Sequence, residues 1–266
     1  MFRFIIVFLF IVLMNITPLS FGNGIGPPSP EVLKKIEELK TIKENIEKSE
    51  GDLKKKWIQK LIKIFEREIE YLKTYDYKPD SHKVMPDEEN YFRYYFHELS
   101  FEVGQLPNLD EKIIKLLIGY PTYPYKHPPY TYQLIKTKDK EWILKHFTIC
   151  ANDPDDNVRD SAICELSLIS NPFIESAEWD LTPYEKIHRA LSSEDKNLLK
   201  KVLTKALEDP CFTIRLSAIR GLIIYKDDRE IISKIEKIAK EDNHEYVREK
   251  AQKLLKEMKT QSNKFF

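Results

Sequence analysis

One pattern recurs in register along the second half of this 266-residue chain. Asp153-Pro154 is followed by Val158-Arg159-x-x-Ala162-x-x-x-Leu166, and Asp209-Pro210 leads by the same spacing to Ile214-Arg215-x-x-Ala218-x-x-x-Leu222. Asp242 leads to Val247-Arg248-x-x-Ala251-x-x-x-Leu255, with Asn243 where proline is expected. Asp209 and Asp242 are 33 residues apart, as are Arg215 and Arg248, while Asp153 and Asp209 are 56 apart. About 23 residues are therefore inserted between the first and second copies. Val, Ala and Leu at i, i+4 and i+8 share one face of a helix, and the alanine lets a neighbouring helix come close. Proline cannot continue a preceding helix, so Asp-Pro marks a turn. An apolar-periodic segment precedes each copy: Trp142-Ile143-x-x-Phe147, Leu198-Leu199-x-x-Leu203-x-x-x-Leu207, and Ile231-Ile232-x-x-Ile235-x-x-Ile238. The repeating unit is thus a helix, a turn and a helix.

The pattern resembles the HEAT repeat, especially its short bacterial form, and the resemblance covers roughly residues 140 to 258. It implies an all-α fold: an α-solenoid of antiparallel helix hairpins over 138–260, with an insertion at 171–193. It also implies a structural ladder between successive repeats, formed by Asp153, Asp209 and Asp242 with Arg159, Arg215 and Arg248. The missing proline of the third copy suits an atypical terminal repeat. A repeat architecture of this kind says little about function.

The rest of the composition agrees with helices. Only 7 glycines accompany 32% charged residues, too few for the turns of a β-rich or doubly wound fold. Lys+Arg and Asp+Glu both count 43, so no net basic field is available to hold a phosphate backbone, and no nucleic-acid partner is expected.

Met1-Phe2-Arg3, the apolar run Phe4 to Met14 and the small residues Ser20 and Gly22 read as a secretory signal peptide over 1–22. The run is short for a membrane span, and a membrane association is expected only if this segment stays uncleaved. A secreted or periplasmic protein follows. Residues 23–30 form a Gly/Pro linker, and Ser29-Pro30-Glu31 supplies an N-cap, a proline at the first helical position and an acid in the first turn. Val32, Ile36, Leu39, Ile42 and Ile46 make one apolar stripe; after the break at Ser49 to Asp52, Leu53 through Leu72 continue it. An N-terminal helical hairpin is expected, either capping the solenoid or standing as a coiled-coil arm, with capping favoured. It opens a helical N-terminal region over 31–137. Within that region an aromatic helix is expected from about Glu89 to Val103, and another from Asp110 to Ile118.

Residues 120–132 hold five tyrosines and four prolines, a composition that opposes helix and favours extended backbone. Tyr120, Tyr123, Tyr125, Tyr130 and Tyr132 are candidate partner-binding residues, because tyrosine gives large contact area at low entropic cost. The alternative is a loop that packs its rings on the adjacent aromatic helix. In the insertion, Tyr184 to Leu191 forms a short helix, and Trp179 is a further candidate contact residue or else fills a gap.

Catalytic signals are sparse. His97-Glu98 and His244-Glu245 invite comparison with HEAT-fold metal hydroxylases, but neither sits in the duplicated arrangement those enzymes use. No His-Glu-x-x-His, Gly-x-Ser-x-Gly or phosphate loop occurs, and no cofactor or metal is expected. Cys150, Cys164 and Cys211 allow at most one bridge; a staple between Cys150 and Cys164 competes with three small buried thiols. The sequence favours an exported, non-catalytic scaffold for a protein partner. The competing expectation is an extracytoplasmic enzyme or accessory factor with its site in the aromatic region 90–132, where His97, His127 and a carboxylate would have to meet.

Overall fold

The computed structural model describes residues 29–73, 95, 97–106, 109–119, 129–172 and 180–262. Among them the protein is all-helical, with twelve α-helices and no strand. Helices α1 (Pro30–Lys48) and α2 (Gly51–Lys73) form the N-terminal hairpin. The Ser29 hydroxyl accepts the Val32 N–H at 3.3 Å and Pro30 opens α1, as the sequence requires. Then follow α3 (His97–Gln105), α4 (Glu111–Gly119), α5 (Pro129–Thr137), α6 (Lys140–Cys150) and α7 (Asp156–Ser170). The inserted segment contributes α8 (Thr182–Arg189). The chain ends in α9 (Ser193–Ala206), α10 (Phe212–Leu222), α11 (Arg229–Glu241) and α12 (Glu245–Ser262).

Two apolar cores organise these helices. The larger takes Phe147, Leu166, Leu203, Leu222, Ile235 and Val247 from α6 to α12; the smaller takes Leu39, Ile42, Phe65, Leu99 and Val103 from the first three helices. Helix α4 serves both: Ile114 and Ile118 face the larger core, Ile113 and Leu117 the smaller. The second helices of the repeated units lie against one another, α7 on α10 and α10 on α12, and α4 packs against α7 in turn.

Close approach along this row depends on side chains that are missing. A Cβ on Gly221 would stand 2.9 Å from the Ser167 backbone and 2.7 Å from a Leu203 methyl. A Cβ on Gly119 would stand 3.1 Å from the Val158 backbone. Ala162, Ala218 and Ala251 are buried in the same row.

The repeated Asp and Arg meet across successive turns. Arg159 donates from Nε and Nη2 to the two carboxylate oxygens of Asp209 at 2.8 and 3.2 Å, and Arg215 does the same to Asp242 at 2.7 and 2.7 Å. The third nitrogen, Nη1, holds the carbonyls of the arginine's own turn: Asp153 and Pro154 for Arg159, Asp209 and Pro210 for Arg215. Each aspartate also accepts a backbone N–H two residues on, from Asp155, Cys211 and His244. Burial works against the charge of Asp242, yet the Arg215 and His244 N–H bonds hold its carboxyl below the ordinary range. Asn243, which stands where proline is expected, adds its side-chain oxygen to the Arg215 fork at 2.9 Å. Asp153 has a partner that the motif does not contain, Lys115 of α4 at 3.1 Å.

One expectation is corrected, and one pair of alternatives is decided. Helix α5 begins at Pro129, so residues 129–132 are helical rather than extended; proline at a first helical position is preorganised for helix, and the same rule that starts α1 applies here. Cys150, Cys164 and Cys211 are all free thiols, so no staple joins the first two. Burial pushes the Cys150 thiol up to about 12 and raises Cys164 as well, which keeps both protonated and inert.

Candidate partner-binding site

The Tyr/Pro segment and the insertion converge on one side chain. Glu165 projects from α7 and is 1% exposed. Its Oε1 accepts the Thr131 hydroxyl from α5, and its Oε2 accepts the Tyr184 hydroxyl from α8 at 2.5 Å. No cation is among the groups that set its titration. Burial, only partly offset by the two hydroxyls, moves its carboxyl up to about 7. Burial and the neighbouring Glu165 in turn push the Tyr184 phenol upward, so that it remains a donor.

A second contact lies outside this anchor. The Tyr132 hydroxyl donates to Asp180 Oδ2 at 2.9 Å, and the Tyr132 and Tyr184 rings stand 6.3 Å apart between centroids at 43°. Asp180 in turn accepts the Thr182 N–H at the start of α8 at 3.1 Å. One turn further along the same face of α8, His188 Nδ1 contacts the Ile169 carbonyl of α7 at 3.0 Å. Helix α8 is thus fastened to α7 at Tyr184 and His188, and the Tyr132–Asp180 bond joins its start to α5.

Of the candidate contact residues, Tyr132 is half-buried in this cluster. Tyr130 lies in the first turn of α5, but its side chain is outside the described residues. Tyr120, Tyr123, Tyr125 and Trp179 lie outside them too, as do the signal segment 1–22, His127 and the side chains of His97 and Glu98. His244, paired in sequence with Glu245, stacks on Phe212 at 3.9 Å with the rings 3° from parallel. Among the described residues no three His, Cys, Asp or Glu side chains are grouped to hold a metal, and no helix is long and apolar enough to cross a membrane.

Sequence reasoning missed Glu165, Thr131 and Tyr184. One signal was present: Glu165 occupies the repeat position filled by Gly221 and Leu254 in the other copies, one residue before the motif leucine. A carboxylate at a small or apolar register position asks for buried partners. Lys115 was also legible, since Ile114-Lys115-x-x-Ile118 follows the spacing of Val158-Arg159-x-x-Ala162.

Fold and site define an all-helical protein in which two aromatic segments are fastened to one buried carboxylate. No protein-family model matches the chain, and no curated protein matches it.

Proposed function

We propose that this chain is an exported, non-catalytic HEAT-like α-solenoid that binds a protein partner through the joined surface of the Tyr/Pro segment and the insertion. The contact residues are Tyr120, Tyr123, Tyr125 and Tyr130 from the first, Trp179 from the second, with Tyr132 tying the two together. The observation that carries this reading is the Tyr132–Asp180 bond above the buried Glu165. It supports reading the two segments together, since it ties α5 to the start of α8. Tyrosine and tryptophan give large contact area at low entropic cost, which suits such a surface. The solenoid reading is supported by three copies in register, by the row of helices α4, α7, α10 and α12, and by the Arg159–Asp209 and Arg215–Asp242 pairs.

The test is affinity capture of residues 23–266 from an extracytoplasmic fraction, beside a variant carrying Tyr123→Ala, Tyr125→Ala and Tyr130→Ala. A specific protein retained by the first and lost from the second supports the reading. Retention by both moves the surface away from these rings, and capture of nothing removes the scaffold assignment.

A further inference from the structure

Glu165 is buried without a counter-charge among the described residues. The groups on its two oxygens are neutral hydroxyls, Thr131 of α5 and Tyr184 of α8. Charged and titratable side chains on the helices around α7 are engaged elsewhere. Lys115 of α4 meets Glu111 and Asp153, Lys140 of α6 meets Asp195, and Lys200 of α9 meets Asp228. His146 of α6 lies near Lys145 and Glu111. Arg220 of α10 acts on Cys164, the residue before Glu165, and that thiol stays protonated. Within α8, His188 contacts the Ile169 carbonyl and Arg189 meets Glu185, while Tyr132 of α5 gives its hydroxyl to Asp180.

An ionised Glu165 therefore places an unpaired charge in the interior, and a protonated one does not. The neutral form loses no partner. Its Oε2 still accepts the Tyr184 phenol, and a proton on Oε1 is given to the Thr131 oxygen, since a hydroxyl both donates and accepts.

The two partners are held unequally. Thr131 belongs to α5, whose Leu134 and Ile135 are buried in the larger core. Helix α8 has eight residues and buries two of them, Tyr184 and Ile187, while Thr182, Lys186 and Arg189 face solvent. Of the two attachments, α8 is the one that opens at lower cost. Lifting it takes the Tyr184 ring off Glu165 and lets water reach the carboxylate.

We propose that α8 is a proton-controlled clamp on α7, held most firmly while Glu165 carries its proton and opening more often once that carboxyl ionises. Ionisation sends the proton to solvent, and opening breaks the Tyr184–Glu165 and Tyr132–Asp180 bonds while α5 stays in place. The consequence for a partner, a joined surface present in acid and parted above neutral pH, rests on the partner-binding reading. The opening itself does not.

Hydrogen exchange of residues 23–266, which contain every described helix, tests it between pH 5 and pH 8, with intrinsic exchange rates divided out. The amides of Ile187, His188 and Arg189 in the last turn of α8 report on the opening. They should exchange at least about tenfold faster than amides of α5, α10 and α12, through an opening that leaves those helices closed. Their opening constant should rise about 70-fold from pH 5 to pH 8, as a carboxyl at about 7 when closed and at 4.5 when released requires. In Glu165→Gln, which keeps a donor and an acceptor without the charge, the constant should stay flat. Tyr184→Phe removes one donor to the carboxylate, so the rise should level off at a higher pH than in the native chain, and this variant decides the matter if Glu165→Gln lacks native circular dichroism. Exchange of α8 in step with α10 and α12, a native opening constant that is flat with pH, a Glu165→Gln slope equal to the native one, or a levelling pH unmoved by Tyr184→Phe would each overturn the proposal. Partner capture through the tyrosines is read separately, so failure of that reading and failure of the clamp are told apart.

Discussion

Tyr184 and Glu165 lie nineteen positions apart in the chain, in the insertion and in the helix it follows, and meet through a 2.5 Å hydrogen bond in the buried interior. The phenol donates to a carboxylate that burial has made a weak acid, with its pKa moved from 4.5 up to about 7. Such a group ties folding to proton concentration.

The sign follows from the direction of that shift. Below pH 4.5 Glu165 is protonated folded or unfolded and has no effect on the pH dependence. Between about 4.5 and 7 the folded state holds a proton that the unfolded state releases, so stability falls as pH rises and levels off above 7. The whole span corresponds to about 3 kcal/mol. Urea denaturation at pH 5 and pH 8 should show this slope in the native chain and a flatter one in Glu165→Gln. A native slope identical to that of the variant would remove Glu165 as the cause.

The Arg215–Asp242 pair has side chains only 8% and 5% exposed. Removing one partner strands the other charge, and Arg215→Ala should cost about 3 kcal/mol or more. Arg248→Ala should cost about 1 kcal/mol or less, since it loses only the bond to its own turn. Comparison of the two denaturation midpoints checks this, and equal losses would mean that the carboxylate contact carries no weight.

Glycine substitutions should separate close approach from mere helix propensity. Gly221→Ala forces its new methyl against the Ser167 backbone and should destabilise by about 1 to 3 kcal/mol. Gly104→Ala meets only a Leu134 methyl at 3.6 Å, an ordinary contact, and lies within α3, so it should be neutral or stabilising by up to about 1 kcal/mol. Thermal melts of both variants give the comparison, and a stabilised Gly221→Ala would contradict the packing described for α10 on α7.

With three free cysteines, denatured protein prepared without reductant should release three thiols per chain to a colorimetric reagent. A count of one would mean that two of them are joined in a bridge.

The sequence was most legible where spacing repeats. Asp209, Arg215, Asp242 and the apolar positions around them follow a fixed register, and periodicity alone marked α1, α2 and the helices on either side of each Asp turn. The helix of the insertion was expected at Tyr184 to Leu191 and is found at Thr182 to Arg189, a shift of two residues set by Pro183 in its first turn. Proline content misled at Pro129, where the residue starts a helix instead of preventing one. Glu165 was hidden for a different reason. Its partners Thr131 and Tyr184 lie in segments with no repeat to align, and a long-range hydrogen bond leaves no spacing behind.

Glu165 also divides the labour of the molecule. The positions that hold the Tyr/Pro segment and the insertion in place are a threonine, a buried tyrosine and one carboxylate, while the tyrosines and tryptophan proposed to meet a partner lie elsewhere in the same two segments. Attachment and the proposed contact thus rest on different side chains, Tyr132 excepted. On the proposed reading, the rings can be exchanged one at a time, changing what is bound, while Glu165 and its two hydroxyl partners stay as they are.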